Sequence, residues 1–272
     1  MLSIIVTVHN QLPMNRLFWE HLQTNTEGSW ELVVVDNASS DGTREFFKSV
    51  GATVVKNNGN YSYPHCQNRG IAAARGEWLA FLNNDVIVPP GWNTRLIETM
   101  RHHGMDVMSA CGIEKIETPA ATKKLKRRWQ WIKNLTLLVM GRSETSLRLM
   151  HRLMYANWPR FSELRATQFH LQVLEGFVGN TVVMTRRSIK IVGLWDERVQ
   201  AGDFDLYLRV KKRSLEHGDI RPMHIALDVF VHHYIRLTLS QGYPPFVDRD
   251  RLIKLEDKWS PEDLMLLKAA NA

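Results

Sequence analysis

HCQNRGIAAARGEWLAFLNNDVIVPPGW, residues 65–92, sets the pattern of the chain. Residues 65–74 read as a helix that closes near Gly76. Residues 78–82 form an apolar run of strand length, followed by the polar turn Asn83-Asn84-Asp85. Pro90 and Gly91 then open another helix, expected to run to about His103. Working outward, the same alternation precedes this stretch. Residues 3–8 are a short β-rich run, and residues 12–24 place Leu12, Leu17, Phe18 and Leu22 at helical spacing. Residues 31–35 form a valine-rich strand, 41–50 a helix, and 53–55 a third strand. Strands and helices alternating at this pitch predict an α/β domain of βαβ units around a mostly parallel sheet. In such sheets ligands sit beyond the carboxyl ends of the strands. That rule singles out His9-Asn10, Asp36-Asn37 and Asn83-Asn84-Asp85.

Residues 112–165 depart from the pattern. Lys123, Lys124, Lys126, Arg127, Arg128 and Lys133 mingle with Trp129 and Trp131, while Leu125, Trp129, Ile132, Leu135 and Val139 fall at helical spacing. A basic helical insertion is expected, with a second helix over 146–155. Strand character returns at 181–184, a helix follows over 203–215 and a strand over 225–231. The expected organisation is one catalytic domain over residues 1–240 and a charged helical tail over 241–272.

Composition narrows the class. With 272 residues the chain can form one large α/β domain, and 44% hydrophobic with 23% charged residues is ordinary for a globular protein. Cys66 and Cys111 alone make neither a disulfide scaffold nor a cysteine zinc site, and read as reduced, buried thiols. The start, MLSIIVTVHNQ, has no basic region ahead of its apolar run. The apolar run 137–140 is far short of the about 20 residues that span a bilayer. A cytoplasmic protein is expected, soluble or peripheral on the inner face of the membrane. The net charge of +7 suits an anionic ligand, whether a nucleotide diphosphate, a nucleic acid or an acidic membrane face.

Four acidic or histidine positions invite chemistry. Asp36 ends a strand and can accept hydrogen bonds from a nucleobase or ribose, or simply cap a turn; Asp41 is the better helix cap. Asp85 ends a buried strand, a costly place for a carboxylate unless it is paired or metal-bound. Oxygen ligands there suit Mg²⁺ or Mn²⁺, against the alternative of a turn residue leading into Pro89-Pro90. Asp203 and Asp205 stand at a helix start, where the helix dipole favours carboxylate and an ionised group facing a pocket can act as general base. Capping by Asp203 and an Asp205–Arg209 pair at i, i+4 is the competing structural reading. His232-His233 at a strand end offers a metal ligand or phosphate contact.

Taken together, SIIVTVHNQ, ELVVVDNASSDGT, NNGNYSYPHCQNRGIAAARGEWLAFLNNDVIVPPGW and GLWDERVQAGDFDLYLRVKK resemble, in order and spacing, the family 2 glycosyltransferases. The resemblance implies the GT-A fold, Rossmann-like with a mostly parallel sheet, here carrying a helical insertion. It implies an inverting transferase that moves a sugar from a UDP, dTDP or GDP donor to the hydroxyl of a glycan or lipid-linked acceptor, in polysaccharide, O-antigen or other glycan synthesis. Asp203 would be the catalytic base, with Asp205 a secondary candidate. Thr7, His9, Asn10, Asp36, Asn58, Asn68, Asn83, Asn84 and Asp85 would bind the donor. Asp85, with His232 or His233, would hold Mn²⁺ or Mg²⁺. Two positions depart from the family pattern: Asn83 replaces the first acid of its D-x-D motif, and Gly202 replaces the usual Glu before Asp203.

Rival readings have discriminating features. A sugar nucleotidyltransferase would carry a glycine-rich, basic phosphate loop after the first strand, which VTVHNQLP lacks. A non-catalytic binding module has no need of both Asp85 and Asp203. Nucleic-acid binding is disfavoured because the basic charge is confined to one segment without a nucleic-acid motif. That segment, 123–139, fits a peripheral contact with an anionic membrane at least as well, and a solvated helix face is the plainer alternative.

Overall fold

In a computed structural model the described residues are 1–235, 237 and 244–271. The strands are β1 (Leu2–Val8), β2 (Trp30–Asp36), β3 (Thr53–Lys56), β4 (Trp78–Asn83), β5 (Val86–Ile87), β6 (Val107–Gly112), β7 (Val173–Glu175), β8 (Thr181–Thr185) and β9 (His224–His233). The helices between them are α1 (Leu12–Asn25), α2 (Thr43–Ser49), α3 (Tyr63–Ala73), α4 (Trp92–His103), α5 (Pro119–Met140), α6 (Glu144–Tyr155), α7 (Trp158–Gln168), α8 (Arg186–Val192) and α9 (Gly202–His217), with α10 (Leu255–Lys258) and α11 (Pro261–Asn271) at the end.

The strands form one sheet in the order β3-β2-β1-β4-β8-β6-β9-β5, with β7 also on β9. The expected parallel portion is β3-β2-β1-β4; β8 runs antiparallel between β4 and β6, and β6 and β9 are again parallel. β1 is apolar on both faces because both are covered, as parallel strands require. Ile4 and Val6 pack into one core and Ile5 into another, and β2 and β4 divide in the same way. Gly70 of α3 lets that helix lie directly on β1, since a Cβ there would sit 2.3 Å from Ile5 Cγ2.

Register places the site. Val8 lies opposite Asp36 and Thr7 opposite Asn83, so the carboxyl ends of β1, β2 and β4 finish together. Val86 pairs with His233, and the Tyr234 N–H donates to the Asp85 carbonyl at 3.0 Å. The turn after β4 is thereby tied to the end of β9.

The insertion is three helices, α5 to α7, beginning after β6 rather than at residue 112 and extending to Gln168. Its inward side, Trp129, Ile132, Met150, Met154 and Trp158, forms a core with Phe230 and Tyr234. The expected stripe on α5 is corrected in part. Trp129 and Ile132 point inward and Leu125 is half-buried, but Leu135 and Val139 face solvent, and buried Thr136 takes the inward place. The expected boundary at 240/241 lies outside the described residues. Beyond it the tail is bound to the domain: Ser62 Oγ donates to Asp248, the Ile253 N–H to the Arg198 carbonyl and the Trp259 indole N–H to Asp205. No helix among the described residues is long and apolar enough to cross a membrane.

Candidate active site

The site is built where the β4–β5 turn meets the end of β9. His233 Nε2 lies 3.1 Å from Asp85 Oδ1, and its Nδ1 bonds Glu114 Oε1. Asn180 Nδ2 donates to the same Glu114 oxygen at 3.0 Å, while the Asn180 carbonyl accepts the Asn83 N–H. Burial works against a charged imidazole, yet the carboxylates of Asp85 and Glu114 outweigh it and hold the His233 pKa well above its usual value. Burial likewise opposes ionisation of Glu114, but His233 draws its pKa down.

Alternation along β9 sends His232 the other way. It is fully buried among Trp129, Tyr155 and Tyr234, with the Tyr155 hydroxyl 2.9 Å from its Nδ1. Burial, then the nearby rings of His151, His233 and His21, push its pKa well below the usual range, which favours the neutral ring. Of the expected histidine pair, His233 alone meets Asp85, and His232 is corrected to a core residue.

Two clefts open on either side of this junction. The first is lined by Thr7, His9, Gln11, Asn84 and Asp85, with Pro244 and Phe246 opposite. His9 Nδ1 donates to the Asn37 carbonyl at 2.6 Å. Asn10 and Gln11 both adopt positive φ (55° and 69°), an uncommon conformation for residues with side chains. Asn10 is held there by Ser39 Oγ and the Ser40 N–H, so it shapes the loop while Gln11, unread in the sequence, faces the cleft.

Besides Asn10, three residues expected to bind the sugar donor lie off the cleft walls. Asp36 is buried, one carboxylate oxygen taken by Arg44 and the other by the Ser39 N–H, which makes it a brace for the 37–40 loop. Asn68 clasps the segment after α8 through the Trp195 backbone and Glu197. Asn58 is exposed and accepts from the Tyr61 hydroxyl. Asn37 and Asn60, joined side chain to side chain at 2.7 Å, do the bracing nearer the cleft, and Asn60 reaches the Pro244 carbonyl.

The second cleft, of about 1130 Å³, has Asp203, Gly179, Asn180, Phe177 and Phe204 on one side and the N-terminal half of α5 on the other. Asp203 stands in the first turn of α9 with its Oδ1 accepting the Phe204 N–H, and burial raises its pKa above the ordinary carboxylate value. Asp205, two residues on, is fully buried between Arg209, Lys258 and Trp259 and does not line the cleft. Its secondary candidacy is thereby corrected to a structural role. Tyr63, Asn83, Glu114 and His233 line both clefts, so the two meet at this wall.

Among the described residues no group of three or more His, Cys, Asp or Glu is arranged to hold a metal ion. Asp85 Oδ1 and His233 Nε2 lie 3.1 Å apart, one carboxylate oxygen and one imidazole nitrogen that becomes a ligand when it gives up its proton. That pair fits Mn²⁺ or Mg²⁺ of the kind whose remaining positions are filled by phosphate oxygens and water.

Known proteins place this architecture. The mannosyltransferase PcManGT from Pyrobaculum calidifontis, solved with GDP-Man and Mn²⁺, gives a TM-score of 0.54 at 15% identity over 89% of this chain and 58% of its own. GalNAc-T7, solved with UDP, GalNAc and Mn²⁺, gives 0.59 at 14% identity over 90% of this chain and 45% of its own. These likenesses speak for the fold, which is the expected GT-A architecture. An uncharacterised glycosyltransferase of Haemophilus influenzae is 33% identical over 86 residues, 31% of this chain and 29% of its own length. Glycosyltransferase AglE of Haloferax volcanii is 28% identical over 114 residues, 39% of this chain and 37% of its own. The matched region therefore spans about a third of these relatives. Residues 3–159, more than half of the chain and including the Asp85 turn and Glu114, match the family described as Glycosyl transferase family 2, and the chain belongs to that family.

Proposed function

We propose that this protein transfers a sugar from a nucleoside diphosphate-sugar to an acceptor hydroxyl with inversion at the anomeric carbon. The observation that carries this reading is the meeting of two clefts at one wall. Asp85 lies on the first side, Asp203 on the second, and His233, Asn83 and Glu114 stand between. The donor occupies the first cleft, its nucleoside towards Thr7, His9 and Gln11 and its diphosphate towards Asp85 and His233. The acceptor occupies the second. Asp203 takes the proton from the acceptor hydroxyl, whose oxygen bonds to the anomeric carbon as the bond from that carbon to the diphosphate oxygen breaks. Glu114 orients His233 through its Nδ1.

Asp85 and His233 would hold a divalent cation, which would supply positive charge to the departing diphosphate. The complexes of PcManGT with GDP-Man and Mn²⁺ and of GalNAc-T7 with UDP, GalNAc and Mn²⁺ support a nucleotide donor and Mn²⁺ here. The test is a panel of UDP-, dTDP- and GDP-sugars, measured for binding and slow donor hydrolysis with Mn²⁺ and with EDTA. One donor should bind and turn over with Mn²⁺ and fail with EDTA. If no member of the panel binds, the reading is wrong; binding undiminished by EDTA removes the metal from it.

A further inference from the structure

The net charge of +7 resides in one place. Residues 118–143 contain seven basic residues (Lys123, Lys124, Lys126, Arg127, Arg128, Lys133 and Arg142) and no Asp or Glu. Of the 35 Lys and Arg in the chain, these seven leave a number equal to the 28 Asp and Glu, so the rest of the sequence is charge-balanced. The segment is α5 and its exit.

This helix has three sides. One, with Trp129 and Ile132, is core. A second, with Lys123, Lys126 and Arg127, is the rim of the Asp203 cleft. Three of the four carboxylates lining that cleft pair elsewhere, Glu117 with Arg165, Glu175 with Lys211 and Glu114 with His233, and Asp203 is the fourth. The rim's field is therefore directed at whatever enters. The third side is apolar and bare. Trp131 is 70% exposed, Leu138 84% and Val139 73%, with Leu135 and Met140 beside them. Positions 131, 135, 138 and 139 share one side of a helix. Other large exposed hydrophobic residues among those described stand singly along the chain. Isolated exposed side chains are ordinary, whereas a contiguous stripe marks an interaction surface.

The charge selects the occupant. A second copy of the chain would bring the same seven cations against these seven, which disfavours self-association. A nucleic-acid backbone would use the cations and leave the Trp131–Val139 stripe in water. An anionic bilayer satisfies both, taking the aromatic and aliphatic side chains at the level of its acyl boundary and the Lys and Arg at its headgroups. We propose that α5 is a docking surface for an anionic lipid bilayer, and that it holds the Asp203 cleft at the headgroup level, where the acceptor is a glycan borne on a lipid phosphate. The docking half stands on α5 alone. The acceptor half rests on the proposed transferase reading.

The full chain should sediment with phosphatidylcholine vesicles containing about a third phosphatidylglycerol, and far less with phosphatidylcholine alone. Association should weaken as salt is raised. Replacing Lys123, Lys124 and Lys126 by Gln should lower vesicle partitioning by about fivefold per residue. The pair Trp131→Ser and Leu138→Ser, both at exposed positions, should abolish partitioning while leaving nucleotide-sugar binding in solution unchanged. Inorganic diphosphate added to saturation should not release the protein from vesicles; release would show that a free phosphate site is being read, not a surface. Absence of vesicle binding, or binding that survives the Trp131/Leu138 pair, overturns the proposal. So does a dimer in sedimentation velocity that this pair dissociates, because the stripe would then be a self-interface. Donor binding in solution tests the transferase reading separately, so either can fail without the other.

Discussion

Asp203 occupies a position where two forces oppose. The N-terminal turn of α9 offers the Phe204 N–H to its carboxylate, which favours charge, but burial in the cleft outweighs this and raises its pKa. The proposed base must be ionised to accept a proton, so transfer should be lost as pH falls through that raised value. The acidic limb of kcat/KM is therefore expected above the ordinary Asp pKa of about 3.9. Asp203→Asn should remove the limb and lower kcat by about 10² to 10⁴ with donor affinity unchanged; a variant that loses donor binding instead would place Asp203 on the donor side. Gly179 gives an independent handle, because a Cβ there would lie 2.0 Å from Asp203 Oδ2. Gly179→Ala must swing the carboxylate aside, and a displacement of that size is expected to cost about 10² in kcat. An unaltered kcat would mean that the position of Asp203 does not matter. The places of Asp85, Asp203 and His233 on the cleft walls were legible in the sequence, because strand ends and helix starts are where a sheet of this kind presents side chains, whereas His232, one residue along β9, faces the core. Glu114, Asn180 and Gly179 were not, since each gains its place only when β6, β8 and β9 lie side by side. Asp36 stands at its strand end as expected, but Arg44, in the first turn of α2, pairs with its carboxylate.

At the scale of elements, the helix that carries Asp203 is held from behind by the end of the chain. The Trp259 indole donates to Asp205 Oδ1 at 2.9 Å, Lys258 Nζ lies 2.5 Å from the same oxygen, and Lys212 of α9 pairs with Asp263. Trp259→Phe keeps most of the ring and removes the donor to a buried carboxylate. Loss of a hydrogen bond to a charged group costs about 1.5–3 kcal/mol, so the denaturation midpoint should fall while donor binding persists. A stability equal to the parent protein would show that the tail only rests on the domain. Element boundaries divided along physical lines. Runs with one clear period, such as β1, β2, β4, α4 and α9, were readable to within a few residues. β5 was hidden because its two residues run straight into Val88-Pro89-Pro90, and β6 because Ser109, Cys111 and Gly112 dilute its apolar signal. On α5 the run from Leu125 to Val139 merged two sides of one helix into a single stripe, which only the packing of Trp129 and Thr136 could separate.

The whole molecule is two halves of one sheet meeting at a wall. The parallel half, β3-β2-β1-β4, ends in the cleft proposed for the donor. The half built from β8, β6 and β9 supplies Asn180, Glu114 and His233, and α9 beside it supplies Asp203. The proposed cation site needs both halves, since Asp85 comes from the β4–β5 turn and His233 from β9. Two protein ligands leave most of an octahedral shell to be filled by phosphate oxygens and water. Mn²⁺ by itself and UDP by itself should therefore stabilise the fold weakly, and the two together by more than their sum. A ligand at a hundred times its Kd adds about 2.7 kcal/mol, which for a domain of this size is a rise in Tm of about 5 °C or more. Asp85→Ala and His233→Ala should each reduce the combined shift to the sum of the separate ones. Glu114→Gln, which keeps the shape but weakens the hold on His233 Nδ1, should raise the Mn²⁺ requirement by about 10- to 100-fold while the full shift is still reached at saturation. A combined shift that is merely additive in the parent protein would mean that cation and diphosphate do not share a site, and the wall between the clefts would lose its assigned part in the chemistry.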